Sequence, residues 1–179
     1  MQETLSGANA EKRMSLSLEE RAEHIGKLCH ERRLTLATVE SCTAGSLAHL
    51  LAQTEGASKT LHGGFVVYTK EAKVAAIGVP EGLIAAHTAV SAEVAQAMAD
   101  GGLARCPADI VVAVTGVAGP EPDEDGNPVG RVFVAAAARD GRKRVVRQDY
   151  GERSRGEICG SAMAMALDLI EELLRAQVR

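Results

Sequence analysis

Residues 109–114 restrict the fold more than any other segment of the sequence. They read Asp-Ile-Val-Val-Ala-Val, a nearly continuous apolar run, and a loop rich in glycine, proline and acidic residues follows over residues 115–128. Such a run is typical of a strand that is buried on both faces of a sheet. A sheet with two buried faces needs helices on each side, so the segment predicts an α/β protein.

The rest of the pattern alternates helices and strands and ends in a hairpin. Ser17 and Glu20 predict a capping box for the first helix, and the dipeptide Asp140-Gly141 predicts the turn of the hairpin. We therefore predict a mixed, mostly parallel sheet with helices on both faces and a late antiparallel hairpin. The predicted helices are 18–33, 44–53, 71–77, 91–104 and 155–176, the predicted strands are 34–39, 65–68, 109–114, 129–138 and 144–150, and residues 56–64 are predicted as a loop.

The length of 179 residues suits one domain, which we place at residues 17–179. Residues 1–16 are polar and aperiodic, and we expect them to form a disordered tail. No apolar run reaches the roughly 18 residues that cross a bilayer, so we expect no membrane contact. The four cysteines are widely spaced and form no CxxC pair. We therefore expect a cytoplasmic protein with reduced thiols.

Charge and composition also restrict the binding partners. The formal net charge is −4, and the chain has two Tyr, two Phe and no Trp. The negative charge disfavours binding to the phosphate backbone of a nucleic acid, and the few aromatic residues disfavour stacking on its bases. We therefore expect no nucleic-acid partner. The five histidines form no HxxxH or HExxH pair, and we expect no metal and no other cofactor. Small enzymes commonly form symmetric oligomers, and we expect a homo-oligomer.

Ligands of open α/β sheets bind beyond the carboxyl ends of the strands, which directs attention to three loops. The first is the turn Glu40–Ser46, where Ser41, Thr43 and Gly45 lie between a predicted strand and a predicted helix. The amide groups and dipole of a helix N-terminus favour an anion or an oxyanion there. The alternative is that Ser41 or Thr43 only caps the helix.

The second loop, 68–73, lies close in sequence to a serine. Ser58, Tyr68 and Lys73 lie within sixteen residues of one another. A lysine that loses its proton through burial can act as the base for a serine hydroxyl, without a histidine. The alternative is that Lys73 is an ordinary surface lysine.

The third loop follows the apolar run. Thr115 and Gly116 begin the segment Thr-Gly-Val-Ala-Gly-Pro, where glycine allows a ligand to approach the backbone closely. The alternatives are a plain tight turn for this segment and a solvated loop for the acidic residues 121–125.

Five motifs follow one another along the chain: ESCTAG, GGFVVYTKEAK, IGV, HTAVS and VTGVAGP. Together and in this order they resemble the C-terminal domain of the competence/damage-inducible CinA family, and the similarity runs from about Leu18 to the C-terminus. The family includes free-standing nicotinamide-nucleotide amidohydrolases. The sequence departs from the family pattern at four places: SCTAG replaces SCTGG, YTKEAK replaces YSNEAK, GAS replaces GSS, and Cys159 stands where an arginine is common.

The resemblance implies hydrolysis of the carboxamide of nicotinamide mononucleotide by a serine–lysine pair without a metal, giving nicotinic acid mononucleotide and ammonia. A small-molecule nucleotide is thus the expected partner. A non-catalytic nucleotide-binding or partner-binding module and a hydrolase of another small amide are the alternatives. The family pattern carries onto Ser41, Thr43, Ser58, Tyr68, Lys73 and Thr115, and onto Arg155 as the residue that binds the substrate phosphate.

Two serines remain candidates for the nucleophile. Ser58 lies in a glycine-flanked loop that leads into the strand carrying Tyr68, and we prefer it on that ground. Ser41 opens a helix, where a hydroxyl and neighbouring amides suit an oxyanion-binding or capping role.

Overall fold

The computed structural model describes residues 16–175. The predicted tail therefore lies outside the described residues, apart from Leu16, as does Ala176 at the end of the last predicted helix. Within this range the chain forms seven helices and five strands. In chain order they are α1 (Leu18–Arg32), β1 (Leu36–Glu40), α2 (Ser46–Ala52), α3 (Ala57–Thr60), β2 (Leu61–Val66), α4 (Lys70–Ile77), α5 (Glu81–His87), α6 (Ala92–Arg105), β3 (Ile110–Gly116), β4 (Arg131–Ala138), β5 (Lys143–Asp149) and α7 (Arg155–Arg175).

The strands form one mixed sheet in the order β2-β1-β3-β4-β5. β1 pairs with β2 and β3 in parallel, whereas β4 pairs with β3 and β5 antiparallel. Of these strands only β4 thus runs against the others. The predicted fold class, with its late hairpin, is confirmed.

Both faces of the central strands are buried, as the apolar run predicted. Along β3, Ile110, Val112 and Val114 pack on one face and Val111 and Ala113 on the other. The first face is covered by α1, α2 and α7, and the second by α4, α5 and α6. Because helices cover each face, β3 is the buried centre of the sheet.

The predicted loop 56–64 is wrong, because it contains α3 and the start of β2. Two glycines in the strand hide its pattern. A Cβ on Gly64 would lie 2.4 Å from Thr38 Oγ1 and 3.2 Å from the Cβ of Ala48, so only glycine fits there without a shift of its neighbours. The helix α5 was also not predicted from the sequence.

The capping box of α1 is present: Glu20 N donates to Ser17 Oγ, and Ser17 N donates to the Glu20 carboxylate. Among the described residues no helix combines the length and the apolar character that crossing a membrane requires.

Candidate active site

A cavity of about 480 Å³ opens at the carboxyl ends of β1 and β3. All three loops selected from the sequence contribute to its lining. Ser41 follows β1, residues 68–73 follow β2, and residues 115–119 end and follow β3; Arg155, at the start of α7, completes the lining together with the acidic residues 121–125.

The structure brings Lys73 to Ser41 inside this cavity. Lys73 lies in α4 and is only 1% exposed, and its Nζ is 2.9 Å from Ser41 Oγ. The same Nζ donates to the carbonyl oxygens of Val67, at 3.0 Å, and Tyr68, at 3.2 Å. A neutral amine has two N–H groups and one lone pair. The two carbonyl oxygens can accept hydrogen bonds from the two N–H groups. The lone pair is then available to accept the hydroxyl proton of Ser41.

Burial favours this neutral form. The pKa of Lys73 is lowered from its ordinary 10.5 to about 8, mainly by desolvation and to a smaller extent by the nearby positive charge of Lys70. Cys42 and Glu71 oppose the shift but do not outweigh burial. A lysine with a pKa near neutrality can remove a proton from a hydroxyl, which an ordinary surface lysine cannot do efficiently. Since Lys73 is buried, the alternative of a surface lysine is wrong.

Ser58 lies elsewhere. It belongs to the four-residue helix α3, is exposed, and does not line the cavity. The preference for Ser58 as nucleophile therefore lacks the contact with Lys73 that it requires. The physical reason is that α3 precedes β2, at the opposite end of that strand from Tyr68, whereas Ser41 lies at the same end as the base. The geometry therefore makes Ser41 the candidate nucleophile.

The turn after β1 is organised by a residue that the sequence analysis did not select. Glu40 is fully buried, and its carboxylate accepts five hydrogen bonds. The donors are the hydroxyls of Thr38 (3.0 Å) and Thr43 (2.7 Å) and the backbone N–H groups of Gly45 (2.9 Å), Leu47 (3.1 Å) and Ala48 (2.8 Å). The available signal was an acidic residue at the end of a buried strand, directly before a turn into a helix.

This network corrects two expectations for the first loop. The amides at the start of α2 bind the carboxylate of Glu40, so they do not offer a site for a substrate anion. Thr43 and Gly45 likewise bind Glu40 and do not line the cavity. Neither Ser41 nor Thr43 caps the helix, because its N-cap is Gly45 and its first amides donate to the Glu40 carboxylate.

Tyr68 contributes through its backbone more than through its ring. Its carbonyl oxygen accepts from Lys73 Nζ and lies 3.4 Å from Ser41 Oγ. The side chain is 54% exposed and forms part of the cavity lining. The backbone of Tyr68 therefore helps to orient the amine, while its side chain contributes to the exposed part of the cavity lining.

The remaining predicted residues lie in the cavity wall. Thr115 is buried and donates to the carbonyl of Ala89 at 2.8 Å, which ties the end of β3 to the segment before α6. Gly116 packs against the neighbouring strand so closely that a Cβ would lie 2.7 Å from the carbonyl oxygen of Arg131. Arg155 donates from its guanidinium to the carbonyl of Gly119.

The acidic loop forms the outer wall and is tied to α4. Lys70 pairs with Glu124 at 2.6 Å and with Asp125 at 2.8 Å. Asp123 accepts from the side chain of Asn127, which also donates to Thr88. The loop is thus anchored on two elements beside the cavity. Residues 16–175 contain no cluster of three or more His, Cys, Asp or Glu side chains that could hold a metal ion.

Comparison with known proteins gives one consistent result. The family model of the CinA C-terminal domain matches residues 18–174. A putative competence-damage inducible protein of Symbiobacterium thermophilum is 50% identical over 115 residues, which cover 64% of this chain and 27% of that protein. A CinA-like protein of Frankia casuarinae is 46% identical over 144 residues, which cover 80% of this chain and 33% of that protein. The chain thus spans about a third or less of the length of these relatives.

Solved structures agree with the sequence comparison. The competence/damage inducible protein CihA of Agrobacterium tumefaciens superposes with a TM-score of 0.85 at 37% identity, covering 89% of this chain and 98% of that one. The competence damage-inducible protein A (ComA) of Klebsiella pneumoniae gives a TM-score of 0.85 at 33% identity, covering 92% of this chain and 100% of that one.

Proposed function

The chain belongs to the CinA C-terminal domain family, and from this membership together with the contact between Lys73 and Ser41 we propose that it hydrolyses the carboxamide of nicotinamide mononucleotide. The products are nicotinic acid mononucleotide and ammonia. The single observation that carries the proposal is a buried lysine with a lowered pKa, 2.9 Å from a serine hydroxyl in a cavity. The reaction class rests on that pair, and the choice of amide rests on the family resemblance.

The first half of the reaction transfers the acyl group to the protein. Neutral Lys73 takes the hydroxyl proton of Ser41 as Oγ attacks the carbonyl carbon of the amide. The tetrahedral intermediate collapses, the bond from carbon to nitrogen breaks, and the ammonium of Lys73 gives its proton to the leaving nitrogen. Ammonia departs and an ester of Ser41 remains.

The second half hydrolyses this ester. A water molecule gives a proton to neutral Lys73 as it attacks the ester carbon. When the ester bond breaks, Lys73 returns the proton to Ser41 Oγ and the carboxylic acid is released. One water is consumed and one ammonia is formed, and Lys73 and Ser41 are regenerated.

The charged side chains of the cavity wall are complementary to the charges of this substrate. The nicotinamide ring of the mononucleotide carries a positive charge, and the carboxylates of the acidic loop line the cavity. Arg155 lines the same cavity and offers a guanidinium to the phosphate. A ligand with a cation at one end and a phosphate at the other fits both features.

The proposal is tested by measuring ammonia release by the purified protein. Nicotinamide mononucleotide is compared with nicotinamide, nicotinamide riboside and glutamine at equal concentrations. We expect turnover of the mononucleotide above that of each other amide. Turnover of another amide alone would assign a different substrate to the same pair, and binding of the mononucleotide without turnover of any amide would favour a non-catalytic module.

The pKa of Lys73 predicts the pH dependence of this reaction. Because only the neutral amine accepts the proton of Ser41, kcat/KM should rise about tenfold per pH unit below about pH 8 and level off above it. The measurement is ammonia release between about pH 6 and pH 9.5. Lys70→Gln removes a positive charge that lowers the pKa of Lys73, so its profile should move to higher pH. A profile that falls with rising pH through this range would exclude Lys73 as the base.

Arg155→Ala should weaken the binding of the phosphate. Charge-assisted hydrogen bonds to a phosphate contribute about 1.5–3 kcal/mol, so KM for the mononucleotide should rise about 10- to 150-fold. Hydrolysis of the riboside, which has no phosphate, should hardly change. The matched control is Arg153→Ala, which removes a nearby arginine that does not line the cavity. Equal losses on both substrates would show that Arg155 supports the fold or the chemistry, and does not bind the phosphate.

A further inference from the structure

The buried carboxylate of Glu40 accepts five hydrogen bonds, three of them from backbone N–H groups. Both of its oxygens are used: one accepts from Thr43, Gly45 and Leu47, and the other accepts from Thr38 and Ala48. A carboxylate is an acceptor-only group, which is the form that matches five converging donors. Four of the five donors belong to the turn and to the first residues of α2. Glu40 therefore binds the whole turn to the end of β1.

The backbone of this turn has two hydrogen bonds of its own, from Ala44 N to the carbonyl of Ser41 and from Ser46 N to the carbonyl of Thr43, but it also contains an unfavourable conformation. Ala44 has a φ of 51° and Gly45 a φ of 95°, so two consecutive residues are left-handed. For a residue with a Cβ this conformation costs about 1 kcal/mol or more, and it persists only where surrounding contacts determine it. Besides the two backbone bonds, the contacts here include the hydrogen bonds from the residues on either side of Ala44, Thr43 and Gly45, to Glu40.

The same residue is connected to both members of the catalytic pair. Ser41 is its direct neighbour, and Ser41 N donates to the carbonyl of Val114 on β3 at 3.0 Å. The backbone carbonyl of Glu40 accepts from Val67 N at 2.8 Å. Val67 and Tyr68 then supply the carbonyls that hold Lys73 Nζ. The side chain of Glu40 thus fixes the turn behind the nucleophile, and its backbone fixes the segment that holds the base.

We propose that Glu40 is a positioning residue for the hydrolysis, because its carboxylate holds the turn that places Ser41 Oγ against Lys73 Nζ. The proposal rests on the function proposed above for that pair. Glu40 does not line the cavity, so we expect its effect on the chemical step and not on substrate binding. A misplacement of a reacting group by about 1 Å costs up to 10²-fold in rate.

Glu40→Gln is the variant that tests this role. It keeps the size of the side chain but replaces one oxygen by an NH₂ group. If the amide oxygen keeps the three donors Thr43, Gly45 and Leu47, the NH₂ group meets the N–H of Ala48, and two donors then face each other. We expect kcat to fall about 10- to 100-fold, while KM stays within about twofold because Arg155 and the acidic loop lie on other elements.

The matched control is Glu171→Gln, the same chemical change at a second buried glutamate. Glu171 lies in α7, is 4% exposed, pairs with Arg175 and does not line the cavity. Both variants should melt at a lower temperature than the wild type. Only Glu40→Gln should lower kcat per folded molecule, since a merely structural role would change the melting temperature alone.

Thr43→Val provides a milder variant if Glu40→Gln fails to fold. It removes one donor to Glu40, at 2.7 Å, and keeps the shape of the side chain. We expect kcat to fall about three- to tenfold, because one hydrogen bond contributes about 1 kcal/mol.

A reactivity measurement separates this proposal from the choice of substrate. A fluorophosphonate probe reports the nucleophilicity of Ser41 without any amide, and mass spectrometry identifies the labelled residue. Slower labelling of Glu40→Gln and Thr43→Val, with Glu171→Gln unchanged, supports the proposal even if the mononucleotide is not hydrolysed. Labelling and turnover of both variants within twofold of the wild type would overturn it. A wild type that is neither labelled at Ser41 nor active on any amide would overturn both the pair and the role of Glu40.

Discussion

Ser41→Ala should lower kcat for nicotinamide mononucleotide by about 10³- to 10⁶-fold while the protein remains folded. The reason is that in the proposed mechanism the hydroxyl of Ser41 is the acyl acceptor, and without it no ester forms. Removal of a serine nucleophile in hydrolases of this type leaves only the catalysis that binding and oxyanion stabilisation supply. Ammonia release at saturating substrate measures the loss, and thermal denaturation shows whether the fold is kept.

Ser58→Ala is the matched control for this prediction. Ser58 is exposed in α3 and does not line the cavity, so its loss should leave kcat and KM within about twofold of the wild type. The opposite pair of results, with activity kept by Ser41→Ala and lost by Ser58→Ala, would identify Ser58 as the nucleophile.

The fold could be predicted because its strongest signals are local. The apolar run of β3 indicated two buried faces, the capping box marked the start of α1, and Asp140-Gly141 marked the hairpin between β4 and β5. Each signal depends on a few neighbouring residues and on one physical cause: burial, an unsatisfied amide or a turn that needs a positive φ. Gly141 indeed has a φ of 93°.

The elements that were missed or misplaced depend on contacts between distant segments. The strand predicted at residues 65–68 overlaps only the end of β2, which begins at Leu61. β2 contains Gly63 and Gly64, which have low strand propensity, and Gly64 is explained only by its close approach to Thr38 and Ala48. The helix α5 has seven residues and contains Gly82, so its periodicity is too short to recognise. In both cases packing in three dimensions overrides a weak local preference.

The candidate site was predicted in its parts and not in its pairing. The sequence pointed to Ser41 and Lys73 separately, but they lie 32 residues apart, and their contact depends on the parallel pairing of β1 with β2. Ser58 was favoured instead because it is closer to Tyr68 and Lys73 along the chain. Separation along the chain does not report which residues meet across the sheet. Glu40 was missed because an acidic residue at the end of a buried strand is a weak signal, and its five donors become apparent only in the structure.

Lys73→Met should lower kcat by about 10²- to 10⁴-fold, the usual cost of losing a general base. Methionine has a similar length and no charge, so it can fill the buried space that the lysine side chain occupies. It leaves the carbonyls of Val67 and Tyr68 without their donor, but it also removes a group that is costly to protonate in the interior. The matched control is Lys59→Met, an exposed lysine in α3 whose loss should not change kcat. Turnover of Lys73→Met within about threefold of the wild type would contradict the role of Lys73 as the base.

The same variant tests the protonation state of Lys73 without any substrate. The pKa of Lys73 is about 8 in the folded protein and 10.5 as its ordinary value, so between these pH values the unfolded chain binds more protons than the folded one. The free energy of unfolding should therefore rise with pH through this window because of Lys73, and Lys73→Met should lack that rise. Cysteine and tyrosine side chains of an unfolded chain also release protons in this window, and both proteins contain the same ones. The quantity to measure is therefore the difference between the two denaturant-unfolding curves from about pH 7.5 to pH 10.5. A difference that stays constant with pH would mean that Lys73 keeps its ordinary pKa, is protonated at neutral pH, and cannot accept the proton of Ser41.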